Sequence, residues 1–181
     1  MWILIILAVI IVLVLVWYIS TLNKLRRTEV KINESRSGID IALTKRFDLL
    51  TKLLDITKAY AKHEKSTIME TIKMRSGMSL KECSEANSIM NEAQKSINIV
   101  AEAYPELKSS ENFKQLQMTV ADVEEHLSAA RRAYNSNVSV FNQMIVSFPT
   151  SIIANSQSLS AKDFFEAETE KQNDVKMDFN S

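Results

Sequence analysis

Residues 113–148 read FKQLQMTVADVEEHLSAARRAYNSNVSVFNQMIVSF, with Phe113, Leu116, Val120, Val123, Leu127, Ala130, Tyr134, Val138, Phe141, Ile145 and Phe148 spaced by alternating threes and fours. That is a heptad-like seam over about five repeats. A helix from Ser109 or Ser110 to the stop at Pro149 would be ~58 Å long at ~1.5 Å per residue, and such a seam needs partner helices along its whole length.

The rest of the chain offers them. Leu22, Leu25, Ile32, Ile39, Leu43, Phe47, Leu50, Leu53 or Leu54, Ile56 and Tyr60 form a long helical stripe, polar at Glu29 and Arg36, where fraying or self-association is expected. After the polar run AKHEKS at 61–66, a short stripe of Ile68, Met69, Ile72 and Met74 ends near Ser76-Gly77, predicting a hairpin. Ser79 to Glu82 has capping-box spacing and Ser84 offers a second N-cap. Ala86, Ile89, Met90, Ala93, Ile97, Val100, Ala101 and Tyr104 then form a third stripe, which Pro105 ends. The expected fold is all-α, an antiparallel four-helix bundle with long coiled-coil-like helices over residues 20–149. Beyond it, Ile152, Ile153, Leu159, Phe164 and Phe165 predict a segment at 150–169 docking on the bundle or on the membrane surface, with Ser160 capping a short helix. A disordered tail is expected over 170–181.

Only 2 Gly and 2 Pro punctuate 181 residues. Sheets and phosphate-cradling loops need glycine for positive-φ turns and close backbone approach, so doubly wound folds, β-barrels and P-loops are poorly supported. Met1 to Ile19 (MWILIILAVIIVLVLVWYI) carries no charge and reaches about 28 Å as a helix, enough to span a bilayer core. Trp2 at one end and Trp17 with Tyr18 at the other are spaced as an aromatic belt. A cleaved signal would want a basic leading region and a small-residue cleavage site, and Ser20-Thr21-Leu22-Asn23 follows instead. Lys24, Arg26, Arg27 and Lys31 lie just past the run. The positive-inside bias therefore predicts a single-pass cell-membrane protein with its N-terminus outside and residues 20–181 cytoplasmic.

No catalytic constellation is expected. Inward Glu-x-x-His pairs would mark a di-metal bundle, but three residues before His63 stands Tyr60, and three before His126 stands Val123. His63-Glu64 lacks the second histidine of a zinc-protease motif, and one cysteine with two histidines makes no Cys/His zinc site. Cys83 is expected in the loop before the third stripe, as a plain small residue. Twenty-two basic against twenty-two acidic residues leave zero formal charge, so nothing favours nucleic acid. No metal and no cofactor are expected, and the eight Met residues read as core filler. Three functional readings follow: a membrane-tethered interaction or scaffold protein, a membrane-shaping homo-oligomer, and a bundle binding metal or cofactor through scattered carboxylates such as Asp40, Asp48, Asp55, Glu124 and Glu125. The first leads. Its candidate partner surface is Lys62, His63 and Glu64 at a helix end, with Arg131 and Arg132 flanking the 113–148 seam.

The strings Tyr60-Ala-Lys-His-Glu64, Ala101-Glu-Ala-Tyr-Pro-Glu-Leu107, Glu111-Asn-Phe113 with Gln115-Leu-Gln117, Ala129-Ala-Arg-Arg132 with Tyr134-Asn135, Ser147-Phe-Pro149 and Phe164-Phe-Glu-Ala-Glu168 resemble the LemA family in content and order, from about Leu22 to Phe179. The resemblance implies a bacterial protein with one transmembrane helix and a four-helix bundle, in a family without an established enzymatic activity. It also implies a protein partner such as a membrane-associated metallopeptidase, and relatives among magnetosome-membrane proteins. Family members commonly carry a proline where this chain reads Leu50-Thr51-Lys52, and an aromatic where it has Arg36. They also tend to be more basic after the Ser-Phe-Pro string.

Overall fold

The computed structural model describes residues 1–60 and 77–165. Among these residues all regular structure is α-helical, in five elements: α1 (Trp2–Lys58), α2 (Leu80–Ala103), α3 (Pro105–Ser109), α4 (Glu111–Val146) and α5 (Thr150–Ser156). The hairpin expected at 61–76, the end of the docking segment at 166–169 and the tail expected over 170–181 lie outside the described residues.

The chain divides into two compact units. One joins Met1–Ser37 to Arg131–Phe164; the other comprises Gly38–Ala130 with the segment from Phe165.

α1 is uninterrupted because no proline falls within it and Gly38 is its single glycine. Leu25, Ile32, Ile39, Leu43, Leu50, Leu53 and Leu54 of its stripe are buried, and hydroxyl residues share the seam. Thr28 and Thr57 are buried there without leaving a polar atom stranded, since each hydroxyl donates to the carbonyl one turn back, Lys24 and Leu53 respectively. The expected weak interval is helical too: Ser35 donates to the Lys31 carbonyl, and Glu29 is engaged by two cations.

In the first unit the packing between α1 and α4 is fixed by few polar contacts. Thr28 Oγ1 approaches Met144 Sδ at 3.9 Å, and the Asn137 amide donates to the Lys31 carbonyl and the Ser35 hydroxyl, each at 3.3 Å. After Val146 the chain turns through a cis Phe148-Pro149 bond into α5, which buries Ile153 and Ala154. It then runs back beside α1 and α4: Gln157 accepts from Arg26, the Lys162 ammonium meets Glu29, the Lys162 backbone bonds Asn142, and Tyr134 donates its hydroxyl to the Asp163 carbonyl. Two expectations are corrected here. The short helix is Thr150–Ser156, with Ser160 exposed in non-helical chain beyond it, and Phe148 is 82% exposed instead of closing the seam.

In the second unit Gly77 takes a φ of 79°, a conformation that suits glycine, just before the cap of α2. Ser79 makes the expected capping box: its hydroxyl accepts from the Glu82 N–H at 3.2 Å, and the Glu82 carboxylate accepts from the Ser79 N–H at 2.7 Å. Because Ser79 rather than Ser84 starts the helix, Cys83 is not in a loop. It is 1% exposed on the inner face of α2, with its sulfur 3.7 Å from an Asp40 carboxylate oxygen. The same face carries Ala86, Met90, Ala93, Ile97 and Ala101, all buried. α2 ends before Pro105, which opens the single-turn α3 at a position where its missing N–H costs nothing. Leu107 of that turn is fully buried, and Tyr104 lies against Tyr60 with ring centroids 6.2 Å apart. On α4, Phe113, Val120, Val123 and Leu127 face inward as the seam requires.

Candidate functional site

Among the described residues no three of His, Cys, Asp and Glu stand together as metal ligands would. Two polar constellations stand out instead, each in its own unit.

The first is built on Arg46. It takes the inward position of α1 between Leu43 and Leu50 that the stripe had assigned to Phe47: Arg46 is 2% exposed, whereas Phe47 is only half-buried. An arginine retained there must have its guanidinium hydrogen-bonded, or the burial would cost several kcal/mol, on the order of the penalty for an isolated interior charge. α2 supplies a ladder of amides for it. Nη1 donates to Asn87 Oδ1 at 2.6 Å, and Nη2 donates to Asn91 Oδ1 at 2.7 Å and Gln94 Oε1 at 2.9 Å. Glu124 of α4 completes the set at 2.5 Å from Nη2. Asn87 is 3% exposed, Asn91 and Gln94 are half-buried and the Glu124 side chain is 40% exposed, so Asn87 binds in the interior and the carboxylate from the rim. One guanidinium thereby ties three helices together. The arrangement is a fixed charge whose two terminal nitrogens are engaged by four protein acceptors, which suits structure better than proton transfer.

The second lies in the unit that carries the apolar run. Every residue from Met1 to Ser20 is exposed, and α1 is long and apolar enough there to cross a membrane. Just past this run, Glu29 is held by Lys162 at 3.1 Å and by Arg26 at 3.1 Å, and the Lys162 ammonium also lies 5.8 Å from the centre of the Phe141 ring. The hydrogen bond from Lys162, reinforced by Arg26 against some desolvation, holds the Glu29 carboxyl below its ordinary range. Burial pushes the Tyr134 hydroxyl up, with Arg36 opposing. Lys162, the one lysine between Pro149 and Phe165, is therefore turned onto the protein.

Residues singled out from sequence fall as follows. Trp2, Trp17 and Tyr18 are exposed at the two ends of the apolar run. Of the basic group, Lys24, Arg27 and Lys31 point to solvent, while Arg26 is drawn into the bonds with Glu29 and Gln157. Lys62, His63 and Glu64 lie outside the described residues. Arg132 is exposed and Arg131 is half-buried. Of the scattered carboxylates, Asp55 pairs with Lys58 and Glu124 with Arg46, and Asp40 is the one beside Cys83. The Arg46 cluster was not foreseen. Its signal was present, an arginine at seam spacing and two asparagines with a glutamine at 87, 91 and 94.

Comparison with known proteins gives a consistent answer. The model of the LemA family matches residues 24–179. Protein LemA of Metamycoplasma hominis is 27% identical over 163 residues, covering 87% of this chain and 74% of that protein. The matched region takes in both polar constellations and begins at Lys24, after the apolar run. On the strength of that coverage, the chain belongs to the LemA family.

Proposed function

We propose that the protein is a single-pass, membrane-tethered interaction module whose body is an antiparallel four-helix bundle held on the cytoplasmic side. The observation that carries the reading is the run Met1–Ser20, wholly exposed and apolar up to Ile19, which continues without a break into the packed part of α1. A bare apolar helix of that length is costly in water and favourable in lipid. Lys24, Arg26, Arg27 and Lys31 on its trailing side support a cytoplasmic body. The bundle geometry draws support from pairings within each unit. Thr28 meets Met144 and Lys31 meets Asn137 in one; Gly38 approaches Ala130 and Arg46 meets Glu124 in the other. Within each unit, numbers rise along α1 as they fall along α4.

The body acts by binding rather than by catalysis, with Lys62, His63, Glu64, Arg131 and Arg132 as the partner-facing set and a membrane-associated protein, such as a metallopeptidase, as the partner class. Protease added to intact spheroplasts should leave residues 20–181 untouched, and rapid digestion of the body would overturn the topology. Crosslinking in native membranes should capture a defined membrane-associated protein. Charge reversal by Lys62→Glu with Glu64→Lys should reduce that capture, while Cys83→Ser should leave it unchanged. A folded, inserted Cys83→Ser protein that lost activity would replace the binding reading with a reactive-site one.

A further inference from the structure

We propose that the end of α4, the turn at Ser147–Pro149 and α5 form a second lipid-contacting surface, seated in an anionic headgroup layer beside the apolar run. The inference rests on the membrane-tethered reading above and adds to it a monotopic contact made by the body itself.

Three observations within one unit carry it. The first is exposure: Val146, Phe148 and Ile152 are 75%, 82% and 58% exposed, although they directly follow the buried seam residues Val138, Phe141 and Ile145. The second is height. Along α4, Asn137 meets Lys31 and Ser35, and Met144 meets Thr28, so higher numbers approach the apolar run. Val146, which ends α4, is about 3 Å nearer than Met144, and Phe148 in the turn that follows comes nearer by at most about 6 Å, toward the level of Lys24, which is itself about 7 Å beyond Ile19 at ~1.5 Å per residue. Headgroup layers are about 5–8 Å thick on each side of the hydrocarbon core. Gln157, bonded to Arg26, marks the return of the chain from the same level.

The third observation is charge. In a chain with 24% charged residues, no Asp, Glu, Lys or Arg occurs from Ala133 to Ala161. A surface that enters the headgroup layer must not desolvate charge, and this stretch offers only apolar, hydroxyl and amide groups. The cations lie beside it on α1, where Lys24, Arg27 and Lys31 are exposed and would meet anionic headgroups. A neutral apolar wedge flanked by exposed basic residues fits a lipid surface better than a soluble partner.

The test uses the full chain carrying Cys83→Ser, with one environment-sensitive fluorophore attached through Phe148→Cys, Ile152→Cys, Trp17→Cys or Ser136→Cys. The proteins are reconstituted in phosphatidylcholine vesicles containing phosphatidylglycerol, with nitroxide-labelled lipids as quenchers. Probes at 148 and 152 should lose most of their emission to headgroup nitroxides, the probe at 136 little, and the probe at 17, at the border of the hydrocarbon core, should be quenched by both headgroup and shallow acyl-chain nitroxides. Omitting phosphatidylglycerol should weaken quenching at 148 and 152. A quenched probe at 17 with unquenched probes at 148 and 152 would overturn the proposal and leave the anchor standing, whereas an unquenched probe at 17 would remove the anchor itself. Blue-shifted but unquenched probes at 148 and 152 in crosslinked dimers would assign the surface to a second copy and refute the lipid contact. Equal quenching without phosphatidylglycerol would refute the anionic requirement.

Discussion

Replacing Asn87 with Ala should cost more stability than neutralising Glu124, although Glu124 carries the formal countercharge of Arg46. Asn87 is 3% exposed and accepts from Arg46 Nη1 at 2.6 Å, where no solvent can take its place. A buried hydrogen bond to a charged group is worth about 1.5–3 kcal/mol, and Asn87→Ala should cost that much. Glu124 is different. Its side chain is 40% exposed, so its attraction to Arg46 is screened, and Glu124→Gln keeps an oxygen acceptor in place. Its cost should fall below about 1 kcal/mol, in the range of exposed ion pairs. Equilibrium urea unfolding of the full chain in micelles, followed by far-ultraviolet circular dichroism, would give both differences, provided the urea dependence is unchanged between variants. If Glu124→Gln proved the costlier substitution, the amides would be bystanders and the cluster would be an ion pair held by charge alone.

Other expectations follow from the same packing. Leu127 is 2% exposed on α4, so Leu127→Ala should lower the unfolding free energy by about 2–5 kcal/mol in the same urea assay; a loss within ~0.5 kcal/mol would contradict its burial. A methyl group added at Gly38 would meet the Ala130 Cβ at 3.7 Å, an ordinary contact, so Gly38→Ala should stabilise by about 0.5–1 kcal/mol, and a destabilisation would show that the helices need the bare glycine. Glu29 has its folded-state pKa lowered by Lys162, so the stability it contributes is fully present above the ordinary carboxylate value of 4.5 and is lost as pH falls through the lowered one. The gap in urea midpoint between the wild-type chain and Lys162→Met should therefore hold at neutral pH and close on acidification; a gap that widened would reverse the assignment.

The seams were readable because burial selects apolar side chains at helical spacing: Val120, Leu127, Tyr134 and Phe141 all proved to be inside. Phe148 shows where that logic ends. An apolar residue suits a protein interior and a lipid surface equally well, and only coordinates distinguish an inward Phe141 from an outward Phe148. Cys83 was misplaced because Ser79 and Ser84 both have cap chemistry, and the choice between them shifts the helix start past the cysteine. Arg46 escaped notice for a different reason. Charged residues on amphipathic helices are mostly solvated, so its seam spacing after Leu43 was outweighed by its type, and the acceptors that make burial tolerable come from α2 and α4, over forty positions away.

The Arg46 cluster also bears on specificity. Long apolar seams with heptad-like spacing are degenerate, since sliding one helix by a heptad still sets apolar against apolar. A buried guanidinium breaks that degeneracy. Moved by one heptad toward higher numbers, α4 would bring Arg131 to where Glu124 stands, setting two guanidinium groups against each other; moved the other way, it would offer the neutral Gln117. Polar groups buried among apolar ones are best attested as fixing alignment in this manner, at some cost in stability. Arg46→Met should then yield a chain that is fully helical, yet double electron-electron resonance between labels on α1 and α4 should give a broadened distance distribution. A single sharp distance in that variant would mean that side-chain shape alone sets the alignment.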